Sequence, residues 1–343
     1  MALLLDLLSS DNPNNISTKW RLLEVWVPAL PLLHGQRPHH CDAFCRRHLP
    51  PVLKIGAVSV LGSHIYYCTS MADSDSSAFH DFEHAGWERA AAFYGDAFGE
   101  LTAQTAGPLL EAAGVVAGMR VLDVASGPGF IAGAAADLGA IVTGLDFSAA
   151  MVAEARRRQP AITFREGDAQ ALPFDDASFD AVVMNFGMLH LAQPDAAIAE
   201  ARRVLRPGGR YAFTVWSAPE RAVAFGLALH AIEEFGNKDV QLPEGPPFFR
   251  FSNAAETRRT LGAAKFEDVE VKELPLTWHL TSADAVFEAL SRGGVRTAAV
   301  LRAQNSAALD AIRTAVTRGV EAYASGNGFA VPMPAVLAAA TRS

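Results

Sequence analysis

The chain has only three cysteines among its 343 residues, and all three lie before residue 70. The rest of the chain therefore cannot be held by disulfides, which suits a reducing compartment. No run of 18 or more uninterrupted apolar residues is present, and the opening MALLLDLLSS lacks basic residues and carries Asp6 in its apolar part. These absences predict a cytoplasmic protein without a membrane span.

An excess of positive charge is also absent, because the formal net charge is -8. Affinity based on phosphate contacts needs clustered Lys and Arg, so nucleic acid is not a predicted partner. Half of the residues are hydrophobic and 19% are charged, which is the composition of a globular protein with a sizeable core.

The character of the chain changes at Met71. The first 70 residues hold four acidic and six basic residues, a balance of +2, which leaves -10 for residues 71–343. Six prolines interrupt any helix in the first part, whereas the pattern becomes regular from Met71 onward. We predict that residues 1–70 are an extension, either disordered or due to a misassigned start codon, and that residues 71–343 form the functional domain.

Five potential zinc ligands lie in the first segment: His39, His40, Cys41, Cys45 and His48. Structural zinc sites normally take ligand pairs from two separated knuckles, whereas these residues fall within ten positions. No second ligand pair lies at a suitable distance, apart from Cys68. We therefore predict an unstructured segment and no metal site.

Between residues 119 and 216, short apolar runs alternate with helical patterns. The runs at 119–126, 140–148, 162–169, 179–189 and 210–217 are predicted strands, and 130–138, 148–159 and 196–205 are predicted helices, the last stopped by Pro207 and the Gly208-Gly209 pair. This alternation predicts parallel strands with right-handed crossovers. The fold is thus predicted to be a doubly wound α/β sheet that binds ligands beyond the carboxyl ends of its strands.

A glycine-rich turn follows the first of these strands. Residues 127–132, GPGFIA, satisfy the G-x-G-x-x-G/A pattern, and Asp146 lies 19 residues after Gly127, which alone would favour a nicotinamide oxidoreductase. Asp123 would repel a pyrophosphate, but it would attract the ammonium of a methionine moiety. Past the third strand, Asp168 could accept a hydrogen bond from an adenine amino group, and the N–H of Ala169 could reach a ring nitrogen.

In their order and spacing, VLDVASGPG, LDFS, GDAQALPF and LRPGGRYAFTVW resemble the successive motifs of class I S-adenosylmethionine-dependent methyltransferases, above all the ubiquinone/menaquinone C-methyltransferase-like (type 11) branch. The resemblance covers residues 119–216 and implies a seven-stranded Rossmann-like sheet whose last strand, within 331–342, returns antiparallel. It implies S-adenosyl-L-methionine as cofactor. Ala125 stands where the family most often has glycine, but it is still a small residue.

The resemblance also assigns residues to parts of that cofactor. Asp123, Gly127 and Gly129 would line its methionine end, and Asn185 and Phe186 would contact the amino group at that end. Asp146 would accept hydrogen bonds from both ribose hydroxyls. Phe147 and Met151 would flank the adenine, and Asp168 and Ala169 would form hydrogen bonds with the adenine edge.

Two inserts, residues 217–255 and 282–325, are longer than the sheet requires. Together with a helix over 79–98 they are predicted to cover the strand ends and to form a mostly hydrophobic acceptor cavity with Trp87, Tyr94, Phe248 and Phe249. His190, just beyond the fourth strand, is a candidate catalytic base, and Tyr94 is a candidate substrate or cofactor contact.

We therefore predict methyl transfer to a small apolar or aromatic metabolite, with carbon favoured over oxygen or nitrogen as the methylated atom. Two alternatives stay open at this point. One is an NAD(P)-dependent oxidoreductase on the same fold, and the other is a protein that binds S-adenosylmethionine without catalysis.

Overall fold

The computed structural model describes the backbone of residues 20–25, 57–61 and 64–343, and the side chains from residue 76 onward. The chain divides into two units, residues 1–77 and 78–343. In the first unit, strands β1 (Trp20–Val25), β2 (Ala57–Leu61) and β3 (His64–Ser70) form an antiparallel sheet in the order β1-β3-β2. The five potential zinc ligands lie outside the described residues, and the interpretation of residues 1–70 as an extension stays a prediction.

The second unit is built on a seven-stranded sheet. Its strands are β4 (Arg120–Val124), β5 (Ile141–Asp146), β6 (Thr163–Glu166), β7 (Phe179–Asn185), β8 (Leu205–Trp216), β9 (Phe266–Leu274) and β13 (Ala335–Arg342). Their order is β6-β5-β4-β7-β8-β13-β9; β13 is antiparallel to both neighbours, and the pairs from β6 to β8 are parallel. The predicted doubly wound sheet is therefore confirmed, including its antiparallel last strand.

Ten α-helices accompany the sheet in the described part of the chain. They are α1 (Met71–Ala103), α2 (Ala106–Ala112), α3 (Phe130–Asp137), α4 (Ala149–Arg158), α5 (Pro194–Val204), α6 (Val223–Phe235), α7 (Ala254–Ala263), α8 (Ala285–Arg292), α9 (Arg296–Arg302) and α10 (Ser306–Glu321). Ser148 caps α4 as predicted, because its hydroxyl accepts from the N–H of Met151 at 3.1 Å. None of the helices in this part is both long and apolar enough to cross a membrane.

Two boundaries differ from the prediction. The single strand expected within 331–342 is two strands, because β12 (Gly328–Pro332) joins β10 (Thr277–Leu280) and β11 (Ala324–Ser325) in a separate small sheet before β13 begins. Prolines at 332 and 334 lack the N–H that a continuous ladder needs, which accounts for the break. The turn expected at Pro207 lies inside β8, where the pairing with β7 shifts register.

The core of the second unit lies on both faces of this sheet. Leu122, Val182, Phe213 and Leu337 are at most 1% exposed, and they come from four neighbouring strands. Strands covered on both faces carry nearly continuous apolar runs, as parallel sheets require. Polar side chains at the carboxyl ends of β4, β5 and β7 therefore stand out, and they define where a ligand can bind.

Candidate active site

A pocket with about 570 Å³ of space, part of it open to solvent, lies at the carboxyl ends of β4, β5 and β7. The strand order changes direction here, which is where doubly wound sheets bind ligands. Ten of the thirteen residues predicted for the site line it: Tyr94, Asp123, Ala125, Gly127, Asp146, Phe147, Met151, Asn185, Phe186 and His190. We call this the cofactor pocket.

The other three predicted residues lie beside this pocket. Asp168 and Ala169 line an adjoining cavity that shares Phe147 and His190 with the cofactor pocket. Gly129 is the N-cap residue of α3, with φ at 83°. A side chain there would lie 2.9 Å from the ring of Phe164, so Gly129 shapes the loop rather than the wall of the pocket.

Asp146 ends β5 and ties the glycine-rich turn to that strand. Its carboxylate accepts from the N–H of Gly127 at 2.8 Å and from the N–H of Ser148 at 3.0 Å. Burial raises the pKa of Asp146 to about 6. The two hydrogen bonds from backbone N–H groups act in the opposite direction, because they stabilise the charged carboxylate. Each carboxylate oxygen can accept more than one hydrogen bond, so a neighbouring pair of hydroxyls could still donate to it.

Asp123, at the end of β4, is the least satisfied polar group of the pocket. It is 1% exposed, and neither carboxylate oxygen has a hydrogen-bond partner. Burial raises the pKa of Asp123 to about 8, and the charge of Asp146 adds to the rise; the N–H of Ala132 opposes it without reaching hydrogen-bond geometry. The hydroxyl of Ser126 is likewise buried without a partner.

Buried polar groups are normally hydrogen-bonded, so these unpartnered oxygens call for a ligand that brings donors. A cationic amino group meets that need best at Asp123, because it would stabilise the charged carboxylate that burial disfavours. The residues present therefore fit the methionine end of S-adenosylmethionine, and they fit a pyrophosphate poorly.

Ala125 and Phe186 both adopt left-handed backbone conformations, with φ at 53° and 54°. Such angles favour glycine, which explains why glycine is the usual residue of the family at the position of Ala125. Phe186 lies at the end of β7 and stacks on Trp216 with ring centroids 4.0 Å apart. The strained turns bring both residues to the wall of the cofactor pocket.

The ring of Phe147 packs edge-on against two histidines of α1. The ring centroids lie 5.7 Å from His80 and 5.4 Å from His84. Asp168 accepts from the backbone N–H of Gln170 at 2.8 Å, and Nε2 of His80 lies 3.5 Å from its Oδ2. Sequence reasoning missed both histidines, although their spacing of four residues places them on one face of a helix.

Asn185 is more constrained than predicted. Its Oδ1 accepts from the hydroxyls of Thr105 at 2.7 Å and Thr214 at 2.5 Å, and its Nδ2 donates to the carbonyl of Thr102 at 3.2 Å. One amide N–H remains for a ligand. Asn185 thus joins β7 to β8 and to the end of α1 as well as lining the pocket.

Tyr94 donates a long hydrogen bond of 3.5 Å to the hydroxyl of Thr102. Burial raises the pKa of Tyr94 above its ordinary value, and the charge of Asp146 raises it further. The phenol therefore stays protonated near neutral pH, so Tyr94 is suited to donate a hydrogen bond and not to act as a base.

His190 belongs to a short 3-10 helix, Met188–His190, just after β7. Its Nδ1 lies 2.9 Å from Oε2 of Glu83, a fully buried residue of α1, and Oε1 of Glu83 accepts from Nε of Arg296 at 2.8 Å. The ring of Trp87 packs edge-on against the imidazole at 4.7 Å. His190 is therefore held in one orientation by a carboxylate and an aromatic ring.

Sequence reasoning missed Glu83 and Arg296. Glu83 lies 107 residues before His190 in the sequence, and Arg296 lies 213 residues after Glu83. An acidic residue inside the otherwise apolar face of α1 was the available signal, but no pattern named its partners.

A second cavity of about 510 Å³ adjoins the cofactor pocket and shares Trp87, Tyr94, Phe186 and His190 with it. Four of its ten further lining residues are aromatic: Phe98, Trp216, Phe225 and Phe248. We call this cavity the aromatic chamber. The predicted covering role of the inserts is supported for Phe248, which lines the chamber, whereas Phe249 lies farther out.

The sheet order and the polar strand ends define a Rossmann-like domain with a pocket for a nucleoside-containing, positively charged ligand. Residues 122–213 match the sequence profile of the family described as "Methyltransferase domain". The resemblance to methyltransferases is therefore confirmed for this segment.

Relatives named demethylmenaquinone methyltransferase are similar to part of the chain. The protein of Renibacterium salmoninarum is 41% identical over 139 residues, which are 39% of this chain and 59% of the relative. The protein of Beutenbergia cavernae is 46% identical over 110 residues, 32% of this chain and 46% of the relative. The chain thus spans about half the length of these relatives.

Among solved structures, phosphoethanolamine N-methyltransferase 2 of Haemonchus contortus, solved with phosphomonomethylethanolamine and S-adenosylhomocysteine, is similar at 19% identity. The match covers 82% of this chain and 64% of that one, with a TM-score of 0.49. The fold of the present chain is defined by its own strand order.

Proposed function

We propose that this protein is an S-adenosylmethionine-dependent methyltransferase that methylates a ring carbon of a quinone-like small molecule. The observation that carries the proposal is the buried, unpartnered carboxylate of Asp123 beside Asp146, within a segment that matches a methyltransferase domain. The names of the relatives support the class of acceptor. A cytoplasmic location and the lack of a nucleic-acid partner remain predictions from composition.

When bound, S-adenosylmethionine supplies a methyl group on a sulfonium, which is already activated for displacement. Asp123 would hold its ammonium, and Asp146 would hold its ribose hydroxyls. Phe147, between His80 and His84, would provide an apolar surface for the adenine. Positioning by these residues supplies much of the rate enhancement in such reactions.

His190 acts in this proposal as the base that removes a proton from the acceptor. A carboxylate only accepts hydrogen bonds, so Glu83 selects the tautomer in which Nδ1 carries the hydrogen and Nε2 carries the lone pair. His190 lines both the cofactor pocket and the aromatic chamber, so it lies where the two substrates meet. Tyr94, which is shared by the same two cavities, would donate a hydrogen bond to an acceptor oxygen.

Two measurements test the proposal. Calorimetric titration should show binding of S-adenosylhomocysteine and none of NAD; the reverse result would establish the oxidoreductase alternative. Incubation with isotopically labelled methyl donor and a reduced naphthoquinone should then place the label on the unsubstituted ring carbon. A naphthoquinone with that carbon already methylated is the matched control. Binding without any transfer would support the non-catalytic alternative.

A further inference from the structure

A large groove lies between α1, β10 and α8, apart from the site described above. It has about 1490 Å³ of space, part of it open to solvent. Ala97 and Ala289 line this groove, whereas the next residues along the chain, Phe98 and Leu290, line the aromatic chamber. The two helices therefore separate the groove from the chamber. We call this space the edge groove.

One wall of the edge groove is the free edge of β10. In the described part of the chain, β10 pairs with β12 and with no other strand. Opposite His279, Ala330 directs its N–H away from β10, to the carbonyl of Tyr323 at 2.9 Å. The pair of His279 and Ala330 is thus not hydrogen-bonded across the ladder, and His279 directs its own N–H and C=O to the free edge.

The side-chain amide of Gln104 is bonded to the same edge. Its Nε2 donates to the carbonyl of Thr277 at 2.8 Å, and its Oε1 accepts from the N–H of Thr277 at 3.3 Å. Thr277 lies two residues before His279, so both residues present their backbone groups on this edge. The amide of Gln104 thus occupies the place of one peptide unit of a neighbouring strand, and the backbone groups of His279 lie next along the edge.

The walls of the edge groove carry an excess of negative charge. Asp284 and Glu288 of α8 share one cation, because both pair with Arg313. Asp96 and Glu100 of α1 are exposed and have no ion-pair partner in the described part of the chain. They lie four residues apart on one face of the helix, where like charges repel each other. A ligand with positive charge would relieve this repulsion.

Apolar surface lies beside these acids. The guanidinium of Arg292, the one arginine among the lining residues, lies 4.1 Å from the ring centroid of Phe93. Phe93 is still 39% exposed, and Ala92 and Leu280 also line the groove. Successive side chains of an extended peptide point to opposite faces. A peptide that alternates basic with apolar residues therefore presents one basic and one apolar face, which suits a groove with both kinds of wall.

We propose that the edge groove binds an extended, basic segment of a partner protein as an added strand along β10. The backbone of the segment exchanges hydrogen bonds with the N–H and C=O of His279, and its lysine or arginine side chains pair with Asp96 and Glu100. Backbone pairing supplies affinity in this mode of recognition, and side chains supply specificity. The net negative charge of the chain favours a basic partner over a second copy of itself.

This surface does not depend on methyl transfer, because none of its lining residues lines the cofactor pocket or the aromatic chamber. The first test therefore measures binding alone. It uses the full-length protein and a fluorescent peptide of about six residues, the usual length of a strand, in which lysine alternates with valine. Fluorescence polarisation should show binding that weakens as the salt concentration rises.

Three further peptides separate charge from backbone pairing. The peptide with glutamate in place of lysine should bind at least five-fold more weakly, because its charges are repelled. Two others carry N-methyl groups on the amides of either all lysines or all valines. At least one of these two should also bind at least five-fold more weakly, because alternate residues of an added strand direct their N–H groups to β10.

Variants of the protein test the same two contributions. The double variant Asp96→Lys and Glu100→Lys reverses both free charges and should weaken binding of the lysine peptide roughly ten-fold. Glu111→Lys, which alters an exposed acid of α2 outside the groove, is its control and should bind as the wild type does. His279→Pro removes the N–H on the free edge, a place where strands tolerate proline, and should weaken binding about five-fold. His279→Ala keeps that N–H and should have nearly wild-type affinity.

Hydrogen exchange of the wild type, followed by NMR, keeps the test valid if His279→Pro fails to fold, as judged by thermal melting. A saturating amount of the lysine peptide should slow exchange at the amide of His279 and leave that of Trp278, which is directed toward β12, unchanged. Undetectable binding, equal affinity for the lysine and glutamate peptides, or unchanged exchange at His279 would overturn the proposal. A dimer in light scattering that the double variant dissociates would also overturn it, because a second copy would then occupy the groove.

Discussion

The cofactor pocket and the aromatic chamber share a wall, but they are built in opposite ways. Most of the cofactor pocket comes from residues 123–190, where each polar group ends a strand or follows one. The chamber is assembled from α1, the segment around α6 and the region of α8 and α9, which are far apart in sequence. Local motifs can specify the first kind of site, whereas the second kind depends on how distant segments pack.

The two regions also treat charge differently. Asp123 is buried without a partner, and burial raises the pKa values of both Asp123 and Asp146. On the chamber side, the buried carboxylate of Glu83 is paired with Arg296 and His190. The first region is therefore prepared for a cationic ligand, and the second for a neutral one with an oriented imidazole beside it.

The largest predicted effect on activity comes from His190, which lies in the wall shared by the cofactor pocket and the aromatic chamber. His190→Gln should lower kcat by about 10²- to 10⁴-fold, because it removes the base while keeping a hydrogen-bonding side chain. The affinity for S-adenosylhomocysteine should stay nearly unchanged. Turnover near the wild-type level would make His190 a structural residue and would assign catalysis to positioning alone.

Within the cofactor pocket, Asp146→Ala should weaken binding of S-adenosylmethionine by roughly 2 to 4 kcal/mol. The substitution removes a charged acceptor for two hydroxyls and also releases the N–H groups of Gly127 and Ser148. Calorimetry on the folded variant measures the loss. Asp137→Ala, at the exposed end of α3, is the control and should bind as the wild type does. Unchanged affinity in Asp146→Ala would remove this residue from the site.

A positioning role for Glu83 predicts a smaller effect than loss of the base itself. In Glu83→Gln, the amide oxygen can still accept from Arg296, but the amide N–H₂ then faces Nδ1 of His190 and favours the tautomer with hydrogen on Nε2. We expect kcat to fall about 10- to 100-fold with little change in KM. A variant that lost only stability would not separate kcat from KM in this way.

The buried acids also predict how pH acts on cofactor binding. The pKa of Asp123 is raised to about 8 in the free protein, and a bound ammonium stabilises the carboxylate, so binding below pH 8 must release a proton. The affinity for S-adenosylhomocysteine should therefore rise by up to about ten-fold per pH unit from pH 6 to pH 8. Asp123→Asn should flatten this dependence, and a constant Kd across that range in the wild type would contradict the assignment.

The same raised pKa values determine how the free energy of unfolding depends on pH. The pKa values of Asp123 and Asp146 in the folded protein, about 8 and about 6, lie above the value near 4 of an unfolded chain. The folded state then binds more protons between these limits, so its free energy of unfolding falls as pH rises through this range. Melting with and without S-adenosylhomocysteine should show a ligand-induced gain that grows toward pH 8.

The contrast between the cofactor pocket and the aromatic chamber also separates what local sequence patterns could predict from what they could not. The parallel, doubly wound sheet and the placement of Asp123, Asp146 and His190 at strand ends followed from alternating patterns and from turn chemistry. The contact between Glu83 and Arg296 did not, because no local pattern relates residues 213 positions apart. The break between β12 and β13 was readable from its two prolines, which the interpretation as one strand disregarded.

The smallest predicted effect concerns Ala125, which stands where the methyltransferase family that the chain resembles most often has glycine. Ala125 has a φ of 53°, and this left-handed conformation destabilises the folded state by about 1–2 kcal/mol for an L-residue. Glycine avoids this strain, but it lowers the free energy of unfolding by about 0.4–1 kcal/mol because the unfolded chain has greater conformational freedom. Ala125→Gly should therefore stabilise the fold by about 0.5 kcal/mol, which corresponds to roughly 1–2 °C in Tm.

The matched control for that substitution is Ala177→Gly, because Ala177 has a φ of 54° and lies outside the cofactor pocket. Both variants should gain similar stability, but only Ala125→Gly removes a methyl group from the pocket wall, so only it should bind S-adenosylhomocysteine a few-fold more tightly. Thermal melting and calorimetry on the pair separate backbone strain from ligand contact. A loss of affinity in Ala125→Gly would show that the cofactor packs against the methyl group of Ala125, whereas a gain in both variants would show that the effect does not come from the pocket wall.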